Sequence, residues 1–468
     1  MAREITQEEI ATVDEMIARA HKAMAQITDW DQDQVDRLAR AIGWHCGNET
    51  TFVRIARMGV DESGIGDRAG RAGKRFKVLG VLRDALRGKS VGVIEEDKAR
   101  GLTKIAKPAG VIASLIPTTN PELTPPVTGI YAAKCKDAVI FSPHPRAKAT
   151  TNEMANIMRA ACRLVGAPED LFQCVTTPSI PMTNYLMSRA DLTLATGGKP
   201  MVQAAYSSGK PAYGVGAGNS TMVIDETADI AEAAANSRMS KMSDFGSGCS
   251  ADGNLVIVDA VYEKMRDALI AEGGYLCSSE EKALLEKALW KEDGSRRIET
   301  VAVAARVIAD FAGFDLPEDR KFLMVEQEEI GPKHFFSKEK LSVTMALYRP
   351  QDFDDALRMV REIYEVGGKG HSCGIYSFDE DRILRHAANA PVSRVMVRQP
   401  QSKANAGSFG NGMPMTSSLG CGIWGGNITN ENVSLKHYMN VTWVAHPIPE
   451  DRPSDEELFG EFYNTEVM

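Results

Sequence analysis

From residue 110 onward, short apolar runs alternate with helical stretches, and no other feature restricts the possible folds as much. The runs cover 111–116, 138–141, 171–175, 192–195 and 222–224. Stretches with helical spacing, such as 147–165 and 200–208, separate several of them. Strands joined through helices form βαβ units, which build parallel sheets and take ligands at the carboxyl ends of their strands. A second α/β set follows from 254 to about 425. The expectation is an α/β protein with two parallel-sheet domains.

The flanks differ from this pattern. Thr6-Gln7-Glu8-Glu9 is a capping box, and Ile10, Val13, Ile17 and Ala20 follow at helical spacing. Helical patterning continues to about 88. Val91, Val93, Leu102 and Ile105 around the turn-former Gly101 predict a hairpin over 91–108. The polar tail 436–468, with Pro447, Pro449 and Pro453, is expected to trail or to pack on a neighbour. These readings put a dinucleotide-binding domain at 1–90 and 109–240 and a catalytic thiol domain at 241–435, with an arm from 91–108 and 436–468. A chain of 468 residues exceeds one simple core, so two or three domains are expected.

Composition excludes several classes of function. A net charge of -9 argues against a nucleic-acid partner, which would need a basic face. No apolar run approaches the roughly 18 residues that span a bilayer, and the start, Met1-Ala2-Arg3-Glu4-Ile5, has no signal-peptide core. The eight cysteines are scattered, with no CxxC pair and no Cys/His cluster at metal-ligand spacing, so no metal is expected. Scattered thiols fit a reducing cytoplasm.

The most informative single residue is Cys249, in Ser247-Gly248-Cys249-Ser250 just before the apolar run at 255–258. A thiol among small residues beside a strand has backbone amides close by and little bulk to block it, as a covalent nucleophile requires. The plainer reading is a small buried hydrophobe, which fits Cys135, Cys162 and Cys174 in their apolar settings. Three strand ends carry turn residues: Pro117-Thr118-Thr119-Asn120-Pro121, Ala195-Thr196-Gly197-Gly198-Lys199 and Gly214-Val215-Gly216-Ala217-Gly218-Asn219. Glycines there let backbone amides approach a phosphate or a reacting oxygen. None is a strict GxGxxG, so each alone is weak evidence.

Together these segments resemble the CoA-acylating aldehyde dehydrogenases, from about residue 105 almost to the end. The likeness includes Phe141-Ser142-Pro143-His144-Pro145-Arg146, Ala204-Ala205-Tyr206-Ser207-Ser208-Gly209-Lys210-Pro211 and Glu339-Lys340-Leu341-Ser342. It also includes Gly370-His371-Ser372 and Leu419-Gly420-Cys421-Gly422-Ile423-Trp424-Gly425-Gly426-Asn427. The resemblance implies the aldehyde dehydrogenase-like fold, with two parallel-sheet α/β domains and a small oligomerisation arm. It implies Cys249 as nucleophile, and Asn120 with the Cys249 N–H as oxyanion hole. Glu339 falls at the nicotinamide ribose, and His144 and Arg146 at the adenosine ribose. Thr196, Gly197 and Gly198 fall at the pyrophosphate turn, with Thr118 and Gly216 beside the same cofactor. His371 and Trp424 lie in strong family motifs and are grouped with the substrate-binding residues, although residue chemistry assigns neither a role.

The implied co-substrates are NAD or NADP and coenzyme A. Hydrolytic relatives carry a glutamate base near the third glycine turn; here Tyr213-Gly214-Val215-Gly216-Ala217-Gly218 has no carboxylate. Without a base, water is a poor nucleophile toward a thioester, and an external thiol is the better acceptor. The segment Arg394-Val395-Met396-Val397-Arg398-Gln399-Pro400-Gln401-Ser402-Lys403 resembles that of the acylating sulfoacetaldehyde dehydrogenases, and it places Arg398 and Lys403 at the substrate. The expected aldehyde is two carbons long and bears a sulfonate, with acetaldehyde and succinate semialdehyde as alternatives. The arm implies a homodimer or homotetramer.

Overall fold

A computed structural model describes residues 3–466; Met1, Ala2 and the last two residues of the expected arm lie outside the described residues. Five helices open the chain: α1 (Gln7–Gln26), α2 (Gln32–Gly47), α3 (Glu49–Ser63), α4 (Arg68–Ala72) and α5 (Arg75–Arg87). The Thr6/Glu9 capping box forms as expected, with the Glu9 N–H donating to Thr6 Oγ1 at 3.2 Å. The hairpin also forms, as β1 (Gly92–Asp97) and β2 (Leu102–Pro108), paired antiparallel.

β3 (Val111–Ile116), β4 (Ala138–Pro143), β5 (Phe172–Cys174), β6 (Leu192–Thr196) and β7 (Ala212–Val215) make a five-stranded parallel sheet in the order β5-β4-β3-β6-β7. β3 and β4 are buried along their whole length. Helices on both faces produce such continuous apolar runs in place of an alternating pattern. The second sheet takes β8 (Thr221–Ile224), β9 (Asn254–Ile257), β10 (Gly274–Leu276), β11 (Phe322–Glu326), β12 (Thr344–Tyr348), β13 (Cys373–Tyr376) and β14 (Val395–Val397). Its order is β10-β11-β12-β9-β8-β13-β14, and all its pairings are parallel.

The sheets divide earlier than the expected boundary at 240. β8 pairs with β9 and β13, and Ala233 and Ala234 pack into the core of the second sheet. The break therefore falls in the glycine turn between Val215 and Thr221. The far boundary also moves, because Met415, Val433 and Leu435 return to the core of the first sheet. The tail does not simply trail. β15 (Met439–Ala445) pairs antiparallel with β2 to make a three-stranded arm. No helix among the described residues is long and apolar enough to cross a membrane.

Candidate active site

The carboxyl ends of β3, β6 and β7 face the loop that precedes β9, and a cavity of about 310 Å³ lies between them. Thr118, Asn120, Thr196, Gly197, Gly198 and Gly216 line it from the first sheet. Cys249, Glu339, His371 and Lys403 line it from the second. Most of the residues singled out in the sequence thus meet around one space.

The nucleophile loop is unusual in its backbone. Asp244 (φ 51°), Phe245 (φ 50°) and Gly246 (φ 68°) stand consecutively in the left-handed region. The two non-glycine residues hold that geometry because the Asp244 carboxylate is tied from several sides. It accepts from the Asp67 N–H at 2.8 Å, Lys74 Nζ at 2.7 Å and Ser247 Oγ at 2.7 Å, with the Arg71 guanidinium at 3.3 Å. Burial pushes this carboxyl up, but Lys74 and Arg71 outweigh burial and hold it below its ordinary range. The Cys249 carbonyl lies so close to Gly218 that a Cβ there would overlap it, so only glycine fits that turn.

Cys249 Sγ lies 3.0 Å from His371 Nε2. His371 Nδ1 lies 2.8 Å from Ser372 Oγ, which also accepts from Asn405 Nδ2 at 2.9 Å. With its proton on Nδ1, the imidazole donates to Ser372 and leaves Nε2 to accept the thiol proton. Arg394 holds the stretch from behind, donating to the His371 carbonyl at 2.9 Å and the Gly420 carbonyl at 2.6 Å. Burial pushes the Cys249 thiol up to about 12, with Glu339 and Cys421 adding to it. Burial, then the Arg394 charge, pushes His371 down to about 3. The resting pair is a neutral thiol and a neutral imidazole.

Opposite the sulfur, Asn120 is fixed by Lys74, whose Nζ donates to Asn120 Oδ1 at 2.7 Å. With its oxygen occupied and one Nδ2–H toward Thr119 Oγ1 at 3.5 Å, the amide has a second N–H without a partner among the described residues. The backbone N–H of Cys249 enters no hydrogen bond among the described residues and is free to donate as well. The helix Lys199–Tyr206 begins at Gly198 with no side-chain cap, and the N–H groups of Gly197 and Gly198, which line the cavity, have no hydrogen-bond partner among the described residues. Glu339 Oε1 accepts from the Gly218 N–H at 3.2 Å, and burial raises its carboxyl to about 7. An open glycine-bounded helix start beside a carboxylate suits the pyrophosphate and ribose of a dinucleotide.

Four expected residues stand elsewhere. His144 and Arg146 sit just past β4, where His144 Nδ1 accepts from the Arg146 N–H at 3.1 Å and the Arg146 guanidinium is bound to the Ser63 carbonyl. Neither lines the thiol cavity, although both stand at a carboxyl strand end. Arg398 does not line the thiol cavity: with φ at 49°, its guanidinium donates to the Ser377 carbonyl at 2.7 Å and stacks 4.3 Å over Phe378. Trp424 also lies outside the cavity, on a short turn where it is 58% exposed. His371 is adjacent to the sulfur, a placement that its motif did not reveal. Sequence reasoning missed Lys74, Lys77, Asp244, Ser372 and Asn405. Arg71, Lys74 and Lys77 repeat a cation every three residues across the α4–α5 junction, and that spacing could have drawn attention.

Residues 2–276 match the model of the aldehyde dehydrogenase family. The chain is 43% identical to a sulfoacetaldehyde dehydrogenase of an Acholeplasma species, over 95% of this chain and 93% of the relative. It is 41% identical to an acylating sulfoacetaldehyde dehydrogenase of Bilophila wadsworthia, over 97% and 98%. Among solved structures, an acetylating aldehyde dehydrogenase from Geobacillus thermoglucosidasius superposes with a TM-score of 0.92 at 35% identity, covering 97% of this chain and 100% of that one.

Proposed function

The chain belongs to the aldehyde dehydrogenase family, in its acylating branch of NAD(P)-dependent oxidoreductases, and on that footing we propose that it converts sulfoacetaldehyde and CoA reversibly to sulfoacetyl-CoA through a thioester on Cys249. The observation that carries this reading is the Cys249–His371 contact facing Asn120 across one cavity.

As the sulfur attacks the aldehyde carbon, its proton passes to His371 Nε2. A thiol near 12 and an imidazole near 3 do not exchange that proton at rest, so transfer accompanies attack and the thiolate is not stored in advance. The carbonyl oxygen becomes an oxyanion, held by the Asn120 amide and the Cys249 N–H. Losing one such donor commonly costs about 3–4 kcal/mol. NAD or NADP, when bound, supplies the hydride acceptor; the glycine turn at 196–198 would hold its pyrophosphate and Glu339 its ribose. The thiohemiacetal then becomes a thioester on Cys249. His371 gives the first proton to solvent, then takes the proton of the incoming CoA thiol as its sulfur attacks the thioester carbon, and returns that proton to the departing Cys249 sulfur. Glu339 is the one carboxylate lining the cavity among the described residues, and it is engaged by the Gly218 N–H. No second carboxylate lines the cavity among the described residues, which favours a thiol over water as acceptor. The sulfonate-bearing substrate follows the two relatives named above.

The test is a coupled NAD(P)H assay with sulfoacetaldehyde, acetaldehyde and succinate semialdehyde, each with and without CoA. Sulfoacetaldehyde is expected to give the highest kcat/KM, and only with CoA, with sulfoacetyl-CoA identified by mass spectrometry. Cys249→Ala should abolish it. Turnover to the free acid at a comparable rate without CoA would overturn the acylating reading.

A further inference from the structure

Two ammonium groups in the cavity have nothing to bind. Lys77, on α5, and Lys403, on the short helix Gln401–Ala404, both line the lumen with Cys249. Neither ammonium makes a salt bridge or donates a hydrogen bond to an acceptor among the described residues; Lys77 has only the ring of Phe76, 6.0 Å away. Lys74, one turn before Lys77, shows what a satisfied lysine looks like here. Its three N–H groups reach the Thr119 carbonyl, Asn120 Oδ1 and Asp244 Oδ2 at 3.0, 2.7 and 2.7 Å. Asp244 is saturated by that cluster, and Glu339 faces the Gly218 amide. No carboxylate of the pocket is left for Lys77 or Lys403.

We propose that Lys77 and Lys403 form the subsite that grips the anionic end of the aldehyde, its sulfonate, while Cys249 attacks the other end. The proposal rests on the function given above and names the residues that select its substrate. Cations drawn from water without a counter-charge are costly, and an incoming anion removes that cost. Burial, with the charges of Lys74 and Lys403, lowers Lys77 to about 7, and an anion between the two lysines would relieve that strain. Lys77, Lys403 and Cys249 line one lumen of about 310 Å³, so an anion held there suits a short chain between the charged group and the reacting carbon. A sulfonate is ionised at every working pH and has three oxygens, enough for both ammonium groups at once. Arg398, assigned this task from its position in the sequence, is committed to Ser377 and Phe378.

The experiment compares Lys77→Met, Lys403→Met and the double variant with wild type, using the full chain with saturating dinucleotide and CoA. The readout is kcat/KM for sulfoacetaldehyde divided by that for acetaldehyde. Each single variant should lower this ratio about tenfold and the double variant by about a hundredfold, chiefly through KM. Lys77→Arg should restore part of the loss. Ethanesulfonate should compete with the aldehyde in wild type and lose that inhibition in the double variant. An unchanged ratio, or a rise confined to the KM for CoA, would overturn the subsite while leaving the acylating reading intact. If wild type preferred succinate semialdehyde and the variants lost it equally, the anion subsite would stand with a carboxylate, and the sulfonate assignment would fall. If wild type used neither anionic aldehyde, both would fall.

Discussion

The buried cluster beneath Asn120 and the lumen above it treat charge in opposite ways. In the cluster, Arg71, Lys74 and Asp244 are tied to one another and to backbone carbonyls and amides. In the lumen, Cys249 and His371 are held neutral, and Lys77 and Lys403 have no protein partner. Lys74 and Lys77 are one helical turn apart with the same side chain, so residue type does not decide between these states. What decides is whether the fold delivers a carboxylate, and Asp244 arrives from 170 residues away in sequence to meet Lys74. A paired charge holds the scaffold, whereas an unpaired one waits for a ligand.

The largest effect that would sharpen this contrast is on stability. Asp244→Asn leaves Arg71 and Lys74 without their shared anion and frees the left-handed loop before Cys249. A loss of about 3–5 kcal/mol in denaturant unfolding is expected, the usual result of removing one partner of a buried ion group. Lys77→Met, one turn away, should stay within about 0.5 kcal/mol of wild type or stabilise the fold. Equal losses in the two variants would erase the distinction.

A second test addresses the neutral pair. With His371 near 3 and Cys249 near 12, both groups stay uncharged from pH 5 to 10. Raising the pH through that range increases the thiolate fraction about tenfold per unit. Alkylation of Cys249 by iodoacetamide in the cofactor-free enzyme should climb with that slope and show no plateau. A plateau near pH 6–7 would instead report a standing thiolate–imidazolium pair. The smallest effect belongs to Arg398. Arg398→Ala removes a contact with Ser377 and Phe378 and should leave the sulfoacetaldehyde KM within about twofold of wild type. A tenfold rise would return the anion site to that residue.

Much of the fold was legible because strands buried on both faces write themselves as continuous apolar runs; β3 and β6 fall within one residue of the expected bounds. The sheet boundary was not legible. β8 looks like its predecessors, and nothing local states that its partners are β9 and β13. Cys249 could be found because small residues beside an apolar run announce it, whereas Asn120 and Glu339 were placed through the family resemblance. The His371 contact spans 122 residues, and a buried histidine reads the same whether it packs or accepts a proton. The lysines of the first 90 residues drew no reading from the sequence, since only tertiary structure carries Lys74 and Lys77 into the cavity. The contacts of Arg398 with Ser377 and Phe378 were not legible either, because they depend on how β13 and β14 pair.

The contact between Gly218 and the Cys249 carbonyl has one further consequence. The glycine strip at 214–218, expected beside the dinucleotide, is the same strip on which the Cys249 loop rests, with no compliant spacer between. Re-engineering coenzyme preference at that turn would therefore displace the sulfur as well, so the two traits cannot be tuned independently there.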